Sequence, residues 1–264
     1  MTTSRSTALI TGASSGIGAV YADRLAARGY DLLLVARREE RLHELASRLQ
    51  ASRGVNVATL RADLTQEEGI EAVEKALRDN PAISVLVNNA GTAQMGSFLA
   101  SSAQTHQEII TLNITALTRL TLAALTRFKA QNKGVIINIA SVLALHAFDT
   151  NSLYSGTKAY VLNFTRGLQA EFAGTGVRLQ AVLPAATATE IWEASGVSLD
   201  QLPAGSVMKT DALVDAALAG FDAGEAVTIP PLHDEALWQR YEEARLAIFA
   251  AARTGEPAPR YLQG

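Results

Sequence analysis

The chain has 264 residues, 48% apolar and 19% charged, a globular mixture that excludes disorder over most of its length. Against 26 acidic residues stand 23 basic ones, so the net charge is −3 and nothing favours a nucleic-acid partner. Cysteine is absent, which removes disulfides, thiolate metal sites and a cysteine nucleophile together. The four histidines, at 43, 106, 146 and 233, show no metal-ligand spacing, so no metal is expected. No apolar run approaches the ~20 residues of a membrane span, and Met1–Arg5 leads into no signal-peptide core. The expectation is a soluble, cytoplasmic protein.

The first apolar run, Thr7–Thr11, reads as a strand. It leads into Thr11-Gly12-Ala13-Ser14-Ser15-Gly16-Ile17-Gly18 and a helix from Ile17 to Arg28. Gly29 ends that helix before a strand over Asp31–Val35. Gly54 ends the next helix before Val55–Ala58. Thr65 and Glu68 have the spacing of a capping box for the helix that follows. Val85–Asn88 is a fourth strand. The helical stretch Ile109–Ala130, apolar on more than one face, precedes Gly134 and the strand Val135–Ile139. A second such helix, Leu153–Ala173, precedes Gly176 and the strand Val177–Val182. Ala226–Ile229 reads as a seventh strand. Each glycine after a helix suits the left-handed conformation that ends it.

Alternation of this kind implies a parallel sheet with helices on both faces. Right-handed crossovers then favour a doubly wound, Rossmann-like α/β fold of about seven strands. No linker or repeat divides the chain, so a single domain over residues 1–264 is expected. The longest connection without a clear element runs from Pro184 to Met208, and residues 185–208 are a candidate substrate loop. The tail from Thr254 to Gly264 reads as irregular.

Glycines spaced G-x-x-x-G-x-G between a first strand and a helix suit a pyrophosphate. Backbone N–H groups at the helix N-terminus face it, and absent side chains let it approach. The second strand ends in Ala36-Arg37-Arg38, where a guanidinium can fork onto a 2′-phosphate. Asp31 lies at the wrong end of the sheet to read a 2′-hydroxyl. NADP(H) is therefore expected over NAD(H). The alternative is a pair of solvated arginines, one bound to Glu39 or Glu40.

This loop, together with Asp63-Leu64, Asn88-Asn89-Ala90-Gly91, Asn113, Ser141, Tyr154-Ser155-Gly156-Thr157-Lys158 and the stretch Pro184–Thr189, resembles the short-chain dehydrogenase/reductases in their compact single-domain form. Tyr154 and Lys158, four apart, share one helix face. An ammonium beside a phenol favours the phenolate, which makes Tyr154 a candidate general acid and base. Ser141, directly after a strand, can donate to a carbonyl oxygen.

The resemblance implies that Asn113 holds a water in a proton relay to Lys158. It implies that Gly12, Ser14, Ser15, Gly16, Ile17 and Gly18 receive the cofactor's phosphates, and that Asp63 and Leu64 receive adenine. Asn89, Ala90 and Gly91 would pass the riboses, Tyr154, Lys158 and Pro184 would touch the cofactor, and Thr187, through its backbone, and Thr189 would hold the carboxamide. The family usually has Pro-Gly where this chain has Pro184-Ala185. Candidate substrate-lining residues are Met95, Val142, Leu143, Leu145, Phe148, Trp192, Val207 and Met208, with Ser141 and Tyr154 as the polar point. An apolar pocket of this kind suits a hydrophobic ketone or secondary alcohol. A carrier-bound 3-oxoacyl substrate and a non-catalytic NADP(H) sensor are the alternatives. In the family resembled, the two apolar helices form a dimer interface, so the resemblance implies a homodimer or homotetramer.

Overall fold

The computed structural model describes residues 5–192 and 202–262. Residues 193–201 of the 185–208 loop lie outside them. Seven strands form one open parallel sheet: β1 (Thr7–Thr11), β2 (Asp31–Ala36), β3 (Val57–Arg61), β4 (Ile83–Asn88), β5 (Gly134–Ile139), β6 (Val177–Val182) and β7 (Val227–Thr228), in the order β3-β2-β1-β4-β5-β6-β7. Strand order reverses between β1 and β4, which opens a crevice at their carboxyl ends.

Successive residues of β1 serve opposite faces, as a strand of period two must. Ala8 and Ile10 join the cluster under α1 (Gly16–Ala27), α2 (Glu39–Arg53) and α7 (Thr210–Ala223). Leu9 joins the cluster under α3 (Glu67–Asp79), α5 (Leu117–Gln131) and the end of α6 (Ser152–Glu171). All three side chains are fully buried, which explains the uninterrupted apolar run. α1 packs on α7, and Arg24–Asp215 and Arg28–Asp222 pair across their surface at 2.6 and 2.8 Å.

Four polar side chains cross the core in a row. Asn88 Nδ2 donates to Thr121 Oγ1 at 3.0 Å and to Asn138 Oδ1 at 2.9 Å, and Asn138 Nδ2 donates to Thr165 Oγ1 at 2.9 Å. Asn88 and Asn138 are register partners in β4 and β5. These contacts satisfy donors that burial would otherwise leave stranded.

Several boundaries differ from the sequence reading. β3 begins at Val57, not Val55, because register with β2 pairs Leu32 with Val57 and Ala36 with Arg61. β4 starts earlier, at Ile83, and β7 holds only two residues. The capping box does not form: α3 has Gln66 as its N-cap without a side-chain bond, and Asp63 Oδ1 accepts from the Thr65 N–H and hydroxyl instead. Gly29 and Gly54 have the expected positive φ. Gly134 and Gly176 do not. They are small because of what lies opposite: a Cβ would stand 2.2 Å from Phe128 Cγ and 1.9 Å from the Asn132 carbonyl oxygen, respectively. Asn132, at φ 48°, ends α5 instead.

α4 (Ala103–Ile110), a π turn (Thr111–Ala116) and α5 form one continuous helical run, Ala103–Gln131. By length and composition this run could cross a membrane, contrary to the sequence reading. Half of its apolar window is buried inside the protein, and α5 packs on β4, β5 and α3, which accounts for the apolar character.

The chain divides into two compact units, residues 1–230 and 231–264. The second consists of α8 (Glu235–Ala251), capped by Asp234, and a 3₁₀ turn at Pro259–Tyr261. No residue of α8 is buried.

Gly134→Ala is expected to cost about 1–3 kcal/mol, because the methyl must displace the buried Phe128 ring. Urea unfolding of the two proteins measures it; an unchanged midpoint would show that Phe128 reseats freely.

Candidate active site

A cleft of about 720 Å³ opens at the carboxyl ends of the central strands. Its floor is the loop between β1 and α1. Gly12 and Gly16 take φ values of +65° and +53°, a region costly for other residues. Ser15 caps α1 in an extended conformation with no side-chain bond to the first turn. The free N–H groups of that turn therefore suit an anion. Gly12, Ser14, Ser15, Gly16 and Ile17 line the cleft. Gly18 does not. It is buried in α1, where a Cβ would stand 2.4 Å from the Gly12 carbonyl, so it shapes the loop from behind.

The loop is tied to β4. Thr11 Oγ1 accepts from the N–H groups of Asn89 and Ala90, both at 3.0 Å, and donates to the Val87 carbonyl. Asn89 Nδ2 donates to the carbonyls of Thr11 and Gly12 at 3.0 and 3.2 Å. Asn89, Ala90 and Gly91 line the cleft, as do Asp63, Leu64, Arg37 and Arg38. Arg38 reaches over the loop, with Nη2 donating to Ser14 Oγ at 3.0 Å and Ser15 Oγ at 2.7 Å. Its acidic partner is Glu190, at 2.6 Å, rather than Glu39 or Glu40. Arg37 has no ion pair among the described residues.

At the other end of the cleft, Ser141 follows β5. Its hydroxyl accepts from the Leu143 N–H at 3.1 Å and donates to the Pro184 carbonyl at 3.3 Å. Tyr154 and Lys158 stand one turn apart on α6, and both line the cleft. Lys158 Nζ donates to the Ile139 carbonyl at 2.8 Å and lies 5.6 Å from the Tyr154 ring centroid. Burial pushes the Tyr154 hydroxyl up to about 12, against a smaller opposite pull from the Ser141 hydroxyl. This corrects the expectation that Lys158 lowers it: burial also drives the Lys158 ammonium down, to about 8, so desolvation governs both groups. The phenol is thus held protonated, the form a general acid needs.

Asn113 is buried in the π turn and does not line the cleft. Its Nδ2 donates to the Thr92 carbonyl at 2.9 Å and Thr157 Oγ1 at 3.1 Å, and its Oδ1 accepts from the Thr92 N–H. It clamps the segment after β4 to α6. Thr187, Thr189 and Pro184 line the cleft, and the Thr187 carbonyl accepts from Trp192 Nε1 at 2.8 Å. Ala185 has no positive φ, so the missing glycine leaves ordinary backbone there. Met95, Val142, Leu143, Phe148 and Trp192 line the apolar part. Leu145, Val207 and Met208 do not. Leu145 packs on a core cluster with Val161 and Leu162, and Met208 packs on the cluster under α1. The residue that sequence reasoning missed is Glu190, a cleft-lining carboxylate one position past Thr189.

Residues 6–198 match the family model described as short chain dehydrogenase. The chain belongs to this family. It is 50% identical to a short-chain dehydrogenase from Sphingobium yanoikuyae solved in complex with NADPH, with a TM-score of 0.94 over 97% of this chain and 100% of that one. The bulky-bulky ketone specific alcohol dehydrogenase from Comamonas testosteroni is 44% identical, with a TM-score of 0.90 over 99% of this chain and 100% of that one. A curated relative, very-long-chain 3-oxoacyl-CoA reductase-A of Danio rerio, is 35% identical over 198 residues, 74% of this chain. The matched region spans 62% of that relative's length.

The buried ammonium gives this short-chain dehydrogenase a pH signature. Unfolded, Lys158 holds its proton up to its usual 10.5; folded, it loses it near 8. Between pH 8 and 10 the unfolded chain binds more protons, so stability rises with pH, by about 2 kcal/mol. The penalty is present in full below pH 8. Unfolding midpoints of wild type and Lys158→Met at pH 8 and 10 measure the effect: the variant should lack the rise, and parallel behaviour of the two would contradict it.

Proposed function

We propose that this short-chain dehydrogenase moves hydride between NADP(H) and a bulky, hydrophobic ketone or the matching secondary alcohol, with Tyr154 handling the oxygen's proton. The observation that carries the reading is the meeting of Ser141, Tyr154 and Lys158 at one end of a cleft whose other end is an N–H-lined phosphate loop beside Arg37 and Arg38.

The cofactor fits the residues present. Gly12 and Gly16 hold the loop in a left-handed conformation, and no side chain caps the donors of the first turn of α1. Ser14, Ser15, Gly16 and Ile17 would hold the pyrophosphate, with Gly12 and Gly18 shaping the loop. Arg37 and Arg38 would hold the 2′-phosphate, and Asp63 and Leu64 the adenine. Asn89, Ala90 and Gly91 would border the riboses. Lys158 and Tyr154 would hold the nicotinamide ribose, and Pro184, Thr187 and Thr189 the carboxamide. When bound, such a cofactor supplies or accepts the hydride.

The protein orients the carbonyl and supplies its proton. Ser141 donates to the substrate oxygen, and the protonated Tyr154 hydroxyl delivers its proton as charge develops there. Asn113 sets the backbone behind Lys158, where a held water would pass protons onward. The substrate end of the cleft, with Met95, Leu143, Phe148 and Trp192, is apolar and suits two large substituents on the carbonyl. The similarity to an alcohol dehydrogenase for bulky ketones supports this class. The similarity to a 3-oxoacyl-CoA reductase favours an acyl thioester instead. Such a substrate wants cations at the mouth, and the arginines that line the cleft, Arg37 and Arg38, stand at the phosphate end. A homodimer or homotetramer through α5 and α6 belongs to the same reading, with Leu122 exposed on α5.

NADPH oxidation across a panel of bulky aryl and alkyl ketones, with long-chain 3-oxoacyl thioesters alongside, tests the reading. Tyr154→Phe is expected to lower kcat by about 10²–10⁴-fold while NADPH affinity stays near wild type. Full turnover in that variant would remove Tyr154 from the chemistry. Turnover of thioesters alone would reassign the substrate.

A further inference from the structure

Glu190 sits where a carboxylate is least expected. It follows β6 in the loop that borders the cleft, and its side chain reaches back to the end of β2. One oxygen, Oε2, accepts from Arg38 Nη1 at 2.6 Å; the other, Oε1, accepts from Arg41 Nη1 at 2.5 Å. Arg38 Nε and Nη2 donate to the hydroxyls of Ser14 and Ser15 in the phosphate loop. The fork that faces a 2′-phosphate is therefore already closed on an anion of the same chain. Both guanidiniums hold the Glu190 carboxyl below its ordinary range, so it stays ionised throughout the neutral region.

We propose that Glu190 is a specificity-determining residue that competes with the cofactor's 2′-phosphate for Arg38. The inference rests on the reading of Arg38 as a 2′-phosphate ligand. Two anions drawn to one guanidinium repel each other, so a phosphate at Arg38 is opposed by the Glu190 carboxylate already bound there. A 2′-phosphate must displace Glu190 toward Arg41, which keeps a partner for it. A cofactor with a free 2′-hydroxyl leaves the Glu190–Arg38 pair intact and meets no such opposition. Glu190 thus narrows the preference for the phosphorylated cofactor, and Arg41 limits how far.

Binding titrations of the full chain with NADPH and NADH, followed by tryptophan fluorescence, test this without turnover. Glu190→Gln is expected to tighten NADPH about three- to tenfold and to change NADH less than about twofold. The gain should shrink at high salt, which screens exposed charges, and vanish in an Arg38→Gln background. Glu190→Ala, with a thermal melt for each protein, guards against a folding effect of one variant. NADPH affinity that is unchanged or weaker in both Glu190 variants, or equal gains for NADPH and NADH, overturns the proposal. The arms separate the two readings. If Arg38→Gln leaves NADPH binding untouched, Arg38 is no 2′-phosphate ligand and the role of Glu190 falls with it. If Arg38→Gln weakens NADPH while the Glu190 variants do not tighten it, only the role of Glu190 falls.

Discussion

The cross-link between Thr11 and Asn89 is the constraint on which the rest depends. β1 and β4 are neighbours in the sheet, but their chains depart in opposite directions, and the crevice between them would splay without a tie. Thr11 Oγ1 takes two backbone donors from the end of β4, and the Asn89 amide takes two carbonyls from the end of β1. Four hydrogen bonds fix the phosphate loop to the strand that carries Gly91. From Gly91 the segment runs to Thr92, which Asn113 clamps to α6 through Thr157. One connected polar frame thus sets the distance between the anion end of the cleft and Tyr154.

That frame also explains where charge is tolerated. Lys158 is buried and Tyr154 half-buried, and desolvation moves both away from their ordinary values. Each shift favours the neutral form. Arg38 and Glu190 lie at the exposed end, where a charge costs little to keep and is worth little to pair. The site is graded: its ionisable groups are more deeply buried where a proton moves and exposed where a doubly charged group would enter.

What the sequence disclosed follows a physical rule. Tyr154 and Lys158 were legible because helical period is local, and the strands of the central sheet were legible because burial on both faces writes itself as continuous apolar residues. Gly134 and Gly176 look like helix terminators in the sequence, but their size answers to Phe128 and the Asn132 carbonyl. Asp63 and Thr65 show the same limit, since either can bond the turn and only the backbone path decides. Leu145 and Met208 are apolar, and apolarity does not say which of two apolar places a side chain fills. Glu190 was missed because its partners are 149 and 152 positions away.

The pairing of α1 with α7 carries a consequence for synthesis. Arg24 and Asp215 are separated by 191 residues, and the apolar face of α1, with Tyr21, Ala22 and Leu25, shares a cluster with Leu213, Val214 and Ala217. At about 5–20 residues per second, roughly 10–40 s pass between the emergence of the one helix and the other. During that interval the first βα unit lies at the centre of a growing sheet with part of its greasy side uncovered. Until α7 emerges, that part of the α1 face has no partner from its own chain.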